Sequence, residues 1–443
     1  MSVLPLPLNA IEHYMLADDS AEYPRLFRLV IRLRTILEES RLAAAVDAAA
    51  RRHPLLAALV EFDGEEPRRW IERRSLKIEI AWSRAIREPG SIVEEVVEPI
   101  DLGEESALRI RVERGFDGDV LSLEFHHAAV DGLGAMQFVE DMLQYYACAP
   151  TVVEQKLREL DESRLSTRDA FGLTGWRRPI RWLYGTLGWI GALEYLLHRP
   201  VPVGAVRESM DDRRKSGFVW HPLTESETRW IRSATRREGV TLNDRLLRDV
   251  FLALQEWFEL HAPEYARRHK RIMVPTNLRA EEDRVLPACN VVAMVNIDRK
   301  PQRWRNPQQL LRVLHWELSW VKRLRLGVIF VQILGILHKL FGLKRFLPRE
   351  RCQATCVVSN LGIVLPEFAD ELVCGVEFYP PIRPLTNVAI GAATCGDRLN
   401  LALHYDAAAL PKEEATWLME RICALLTEGE SNLTPVHSLA KSL

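Results

Sequence analysis

The sequence predicts a mixed α/β (α+β) protein of two domains, and three observations lead there. The chain has 443 residues, more than a single hydrophobic core ordinarily organises. Short apolar runs of strand character alternate with stretches of helical periodicity in both halves. The composition, 47% hydrophobic and 27% charged, is that of a folded globular protein, without long repeats or low-complexity tracts.

Residues 26–33 (LFRLVIRL) form an apolar run of strand type. The Ala-rich stretch that starts at Glu39 is a helix ending at His53-Pro54, because the residue before a proline disfavours the α region. Residues 76–82 and 108–112 are further strands. They lead to residues 119–125, in which Val120, Leu121, Leu123 and Phe125 are apolar. Turn chemistry follows at Asp131-Gly132-Leu133-Gly134, then helical spacing from Ala135 to Leu143. The first domain is expected to span 1–175, an apolar and basic crossover linker 176–216, and the second domain 217–443. The second opens with a helix over 241–260, capped by Thr241 or Asn243. Strand-like runs follow at 271–274, 290–297, 354–358, 388–392 and 399–404.

Charge and cysteine content exclude several classes. Lys and Arg number 59 against 61 Asp and Glu, a net charge of −2, so nothing suggests a nucleic-acid partner. The seven cysteines have no paired spacing, and Cys352 and Cys356 lack a second Cys or His pair at zinc-finger distance. No metal is expected, and reduced thiols in a cytoplasm fit better than a disulfide framework. The first nine residues lack a charged region and are broken by Pro5 and Pro7, so they are not expected to form a signal peptide.

The segment EFHHAAVDGLG, residues 124–134, places two of only 12 histidines side by side. They stand where a strand ends and a turn begins, a place where scaffolds display reactive groups. A histidine titrates near neutrality, so a positioned one can take a proton from an alcohol, amine or thiol attacking a carbonyl. Adjacent strand residues face opposite ways, so at most one of the pair is expected to point into a cleft. The competing reading makes both ordinary strand-end histidines.

His126-His127-Ala128-Ala129-Val130-Asp131-Gly132 resembles the HHxxxDG signature of the chloramphenicol-acetyltransferase-like superfamily of acyltransferases and condensation domains. Three further stretches resemble that superfamily in the same order. They are Arg51-Arg52-His53-Pro54-Leu55-Leu56, then Val274-Pro275-Thr276-Asn277-Leu278-Arg279 with Cys289-Asn290 after it, and Val358-Ser359-Asn360-Leu361-Gly362. The look is nearest to stand-alone bacterial wax ester synthase/diacylglycerol acyltransferases and polyketide-associated acyltransferases. The absence of a DFGWG stretch argues against the plant alcohol acyltransferase branch. Ala288-Cys289-Asn290 stands where Gly-Asn is usual.

The resemblance implies two similar domains, each a mixed sheet with flanking helices, and an active-site tunnel between them. It makes His127 the catalytic general base and His126 a supporting residue. Asp131 then turns away from substrate to an arginine of the second domain, for which Arg279 is the candidate. Gly132 lets the backbone approach the reacting thioester, and Asn290, Ser359 and Asn360 are further candidates. The implied reaction is direct transfer of an acyl group to an alcohol, from CoA or a phosphopantetheinyl carrier as co-substrate, with no bound cofactor. No nucleophilic Ser or Cys is required, which agrees with the lack of a GxSxG elbow. Two alternatives stay open: a stand-alone condensation enzyme forming an amide, and a non-catalytic lipid- or carrier-binding protein. An acyl carrier protein is an open partner. No attached carrier or adenylation domain is expected from the sequence.

Residues 318–349 hold Lys322, Arg323, Arg325, Lys339, Lys344, Arg345 and Arg349 and no Asp or Glu. Between the basic clusters lies LGVIFVQILGIL, residues 326–337. As a helix it would rise about 18 Å, short of a bilayer's hydrocarbon core. A second apolar stretch, 182–197, follows Arg177, Arg178 and Arg181. Peripheral contact of a cytoplasmic protein with an anionic membrane is one reading. A core helix or the wall of an acyl tunnel is the other.

Overall fold

The computed structural model describes residues 3–73, 77–83, 93–171, 198–204, 215–301, 306–343, 347, 349–369 and 371–428. The apolar-basic stretch 182–197 and the cations Lys344 and Arg345 lie outside them.

The first strands are β1 (Leu6–Pro7), β2 (Leu26–Leu33), β3 (Ala58–Asp63), β4 (Glu66–Glu72) and β5 (Ile80–Ser83). Next come β6 (Val93–Val96), β7 (Leu108–Glu113), β8 (Val120–His126), β9 (Lys215–Pro222) and β10 (Lys270–Asn277). The last are β11 (Val292–Arg299), β12 (Cys356–Val364), β13 (Val373–Tyr379), β14 (Val388–Cys395) and β15 (Arg398–Asp406). They form two main mixed sheets, ordered β13-β2-β8-β7-β5 and β11-β10-β12-β14-β15-β9-β6, and a small sheet β1-β4-β3. Parallel pairs occur in both main sheets, β5 with β7 and β12 with β14, and the other pairs are mostly antiparallel. The mixed α/β architecture expected from the sequence is therefore present.

Each main sheet carries helices and its own core. The helices of the first half are α1 (Ala10–Ala17), α2 (Glu39–Arg52), α3 (Gly132–Ala147) and α4 (Pro150–Lys156). Those of the second are α5 (Glu225–Glu238), α6 (Leu242–His261), α7 (Pro307–Arg323), α8 (Gly327–Phe341) and α9 (Lys412–Thr427). One cluster joins the apolar faces of α2 and α3 to Leu29, Ile31, Leu121 and Leu123 of β2 and β8. The other packs α6, α7 and α9 onto Ile390, Leu401 and Leu403. Thr241 caps α6 with a capping box, its hydroxyl accepting from the Asp244 N–H at 3.2 Å.

Two strands join the sheet of the opposite half. β13 pairs antiparallel with β2, setting Val376 opposite Ile31 and Phe378 opposite Leu29. β6 pairs with β9, setting Val93 opposite Phe218. Local periodicity carries no information about such exchanges. The two halves are thus joined by strand exchange in both directions.

The RHP stretch ties the first half to a loop of the second. The buried His53 ring accepts the Ala288 N–H at Nδ1 (2.9 Å), so Nε2 carries the hydrogen and donates to Asp141 at 3.2 Å. Burial holds the His53 pKa below the usual imidazole value, against the pull of Asp141. A neutral ring is what this bridge needs.

In α8 the residues Val328, Val331 and Leu334 are buried in the first core, and Phe330 meets Tyr14 edge-on at 5.6 Å. Helix α8 packs on α1 and β11. Its 326–337 segment is thereby half committed to the interior. The large apolar side chains left exposed nearby include Val313, Trp316, Trp320, Leu324, Ile336 and Leu340. No helix of the described residues is long and apolar enough to cross a membrane. All seven cysteines are free thiols.

Candidate active site

Strand β8 ends at His126, and the next residues turn before α3 starts at Gly132. The His127 N–H donates to the Arg25 carbonyl at 2.7 Å, which holds the chain end against the residues before β2. The two histidines then diverge, as pleat geometry requires. His126 accepts the Ala128 N–H at Nδ1 (3.1 Å) and donates from Nε2 to Asp19 at 3.3 Å. It lines a cavity of about 720 Å³ that also contains His13 and His338, stacked at 4.0 Å between ring centroids. His127 lines a different cavity of about 110 Å³ between the main sheets. Each member of the pair therefore meets a cavity, where the sequence suggested one at most.

His127 is buried, with its ring edge-on to Phe27 at 5.2 Å. The Asn290 amide donates to the His127 carbonyl at 2.5 Å, with its nitrogen 3.3 Å from the ring Nδ1. Burial holds the ring's pKa at about 4, while Asp131 acts in the opposite sense. The imidazole is neutral at physiological pH.

Asp131 uses both carboxylate oxygens. Oδ1 caps α3 by accepting the Gly134 N–H at 2.8 Å. Oδ2 accepts from Arg279 Nη1 at 2.7 Å and from the Val291 N–H at 2.8 Å. Burial alone would raise the carboxyl's pKa, but the guanidinium and the two N–H groups hold it below the usual range. Arg279 reaches on to the Cys289 carbonyl at 2.9 Å. The pair thus joins the start of α3 to the loop carrying Asn290, and draws Asp131 away from the His127 ring.

Gly132, Ser359 and Asn360 line the His127 cavity with Asp131 and Arg279. A Cβ at Gly132 would come within 2.6 Å of Leu361 Cδ2. A side chain at that place would require the Leu361 side chain, which β12 brings in from the facing sheet, to shift. Asn360 closes a local turn, its side chain accepting the Gly362 N–H at 2.8 Å. Three charged residues that sequence reasoning did not single out lie close by. Arg25 and Arg383 line the cavity, and Asp18 sits behind them between their guanidiniums. Nothing in their local sequence marks them, because the three come together only through loops far apart in the chain. Among the described residues no cluster of three or more His, Cys, Asp or Glu could hold a metal ion.

No protein-family profile matches the chain. Two uncharacterized proteins of Mycobacterium tuberculosis, from strains CDC 1551 / Oshkosh and ATCC 25618 / H37Rv, are each 28% identical over 266 residues. The match spans 58% of this chain and 58% of those relatives' length. Solved structures are similar over nearly the whole chain. The first condensation domain of the calcium-dependent antibiotic synthetase superposes with a TM-score of 0.68 at 14% identity, covering 97% of each chain. Polyketide synthase associated protein 5 of Mycobacterium tuberculosis gives 0.60 at 16% identity, covering 95% of this chain and 99% of that one. The trichothecene 15-O-acetyltransferase of Fusarium sporotrichioides gives 0.67 at 12% identity, over 95% and 94%. With an α/β pair of joined sheets and a histidine cavity between them, the chain has the two-lobed fold of condensation domains and related acyltransferases, the chloramphenicol-acetyltransferase-like fold that its HHxxxDG segment resembles.

Proposed function

We propose that the protein is an acyltransferase that moves an acyl group from a CoA or carrier-protein thioester to an alcohol, with His127 as general base. The observation that carries this reading is the buried, neutral His127 ring in the cavity between the sheets. Nε2 takes the proton of the acceptor hydroxyl while its oxygen attacks the thioester carbon. The tetrahedral adduct collapses with cleavage of the carbon–sulfur bond, and the proton passes to the departing sulfur. Ester and free thiol are the products. Ser359 lines the same cavity, and its hydroxyl is a donor for the charge that develops on the carbonyl oxygen. Asp131, Arg279 and Asn290 hold the turn and position the ring rather than touch substrate. Incubation with acyl-CoAs and a pool of alcohols and amines, followed by mass spectrometry, tests the reading. Esters are expected; amides alone would favour the condensation alternative, and neither product would leave a binding protein.

The pH profile gives an independent check. A general base works only when unprotonated, so kcat/KM is lost as pH falls through its pKa. Burial sets that value at about 4 rather than the ordinary 6.5. The profile should stay flat from pH 7 down to about 5 and then fall tenfold per unit. An acid limb centred near 6.5 would mean that another group, or a solvated histidine, controls the reaction.

Peripheral membrane contact is proposed through α7 and α8. Trp316 and Trp320 are exposed and stand edge-to-face at 6.0 Å, with Lys322, Arg323 and Lys339 exposed nearby. Interfacial aromatics beside cations suit an anionic surface, each cation adding roughly 1 kcal/mol. Cosedimentation with phosphatidylserine vesicles is expected, weakening with salt and with Trp316→Ala plus Trp320→Ala. Equal sedimentation with and without vesicles at low salt would remove this surface from consideration.

A further inference from the structure

We propose that Tyr14 is a further catalytic residue of the His127 cavity, its hydroxyl donating a hydrogen bond to the carbonyl oxygen of the thioester as negative charge builds there. The ligand chemistry assigned to this spot is an acyl carbonyl. The inference rests on the acyl-transfer reading of the same cavity.

A hydroxyl without a partner in the fold carries it. Tyr14 is 5% exposed and lines the cavity with His127. A buried phenol ordinarily finds a hydrogen-bond partner, yet among the described residues no group hydrogen-bonds to this hydroxyl. The helix that presents it is held from several sides. Asn9 caps α1 in a capping box with Glu12, and the buried Arg168 guanidinium grips both Glu12 carboxylate oxygens at 2.7 Å. Phe330 of α8 stands edge-on to the phenol ring at 5.6 Å. The phenol is thus set in place before any ligand arrives, as electrostatic stabilisation of a transition state requires.

What the hydroxyl meets follows from charge and size. Arg25 lines the same cavity, and its guanidinium interacts electrostatically with the Tyr14 hydroxyl. Burial lowers the Arg25 pKa to about 10, which leaves it charged at neutral pH. A cation beside the oxygen attracts its lone pairs and repels the O–H hydrogen, so the hydroxyl serves the cavity as a donor. At about 110 Å³ the cavity is smaller than the roughly 150 Å³ one that holds a benzene ring. A group bonded to Tyr14 is then within a ring's width of the rest of the lining, His127 included. The acceptor hydroxyl gives its proton to His127. The other reacting oxygen is that of the thioester carbonyl, which gains charge as the acceptor oxygen bonds to its carbon and the C=O pair moves onto it. The hydroxyl-bearing side chains that line the cavity are Tyr14 and Ser359, and the oxygen has lone pairs for both. Collapse of the adduct returns the pair to the carbon–oxygen bond and breaks the carbon–sulfur bond, while Tyr14 keeps its proton throughout.

The test compares octanoyl-CoA with its thioether analogue S-octyl-CoA, which lacks the carbonyl oxygen, in titration calorimetry on the full chain. The wild type should bind the thioester about 2- to 10-fold more tightly, the net effect of one hydrogen bond. Tyr14→Phe should erase that preference and lower kcat about 10²-fold, as loss of one such donor does. Its melting temperature should stay level or rise, since the hydroxyl it deletes has no partner in the fold. Equal binding of thioester and thioether by the wild type overturns the proposal, as does a Tyr14→Phe protein that keeps both the preference and kcat. A Tyr14→Phe protein that melts earlier and binds both ligands more weakly would make Tyr14 a packing residue and overturn it too. A preference that survives Tyr14→Phe but is lost in Ser359→Ala would leave Ser359 as the donor instead. An intact preference with a raised KM for the alcohol would move the hydroxyl to the acceptor and reject the carbonyl contact. A preference that Tyr14→Phe erases, with no ester formed from any alcohol, would keep the contact and reject the acyltransferase reading.

Discussion

Replacing His127 by alanine is expected to lower turnover by about 10²- to 10⁴-fold, the usual contribution of a positioned general base, with KM little changed. The ring lies in a cavity wall, buried against Phe27, so its loss leaves a space rather than an unpaired charge. His126→Ala provides the contrast. That ring faces Asp19 and the other cavity, so its removal should cost stability and leave kcat within a few-fold of wild type. Single-turnover rates with octanoyl-CoA would separate the two. A His127→Ala protein that keeps more than about a third of its activity, or a His126→Ala protein that loses as much as its neighbour, would remove the base from His127.

The difference between these two histidines shows what the sequence can and cannot reveal. Strand alternation requires that they face opposite ways, but not which of them meets the cavity between the sheets. The answer depends on β2 lying beside β8, with Leu26 opposite His126 and Phe27 opposite Phe125. Elements with strong local signals were legible almost to the residue. The run 26–33 is β2, and the Ala-rich helix from Glu39 ends at Arg52 before His53-Pro54. Thr241 caps α6, where its hydroxyl outcompetes the alternative cap at Asn243. Boundaries shifted where pairing partners extend a strand beyond its apolar run. The run 354–358 became Cys356–Val364, carried on by its parallel partner β14 through an irregularity after Asn360. The run 76–82 became Ile80–Ser83 beside β7. Asn290 stood in a departure from the expected Gly-Asn pattern, yet its amide reaches the His127 carbonyl. The preceding Cys289 is buried, and its carbonyl serves Arg279. Arg25, Asp18 and Arg383 were invisible because an isolated charge in a loop looks solvated until distant segments enclose it.

Removing Asp131 should be among the most damaging changes to stability, and more damaging than removing Arg279. The carboxylate accepts three hydrogen bonds: the α3 cap from Gly134, the Val291 N–H and Arg279 Nη1. Asp131→Ala leaves the partly buried guanidinium without this carboxylate, a cost of at most about 3–5 kcal/mol, and the lost cap adds about 1 kcal/mol. Arg279→Ala leaves a buried carboxylate that still holds two N–H groups, so its cost should be smaller. Because the pair is in direct contact, the double mutant should cost about 0.5–3 kcal/mol less than the sum of the two. The pH dependence supplies a second signature. The folded-state pKa of Asp131 lies below its ordinary 3.8, with Arg279 the main opponent of burial. A depressed carboxylate stabilises the fold above the unfolded value and loses that contribution as pH falls below about 4, through the folded value. Arg279→Ala should flatten that part of the acid-denaturation curve. Chemical denaturation between pH 3 and 7 would measure both effects. Additive losses with unchanged acid sensitivity would mean that the contact contributes nothing, and that the turn bearing His127 is held by the backbone N–H groups and Asn290 alone.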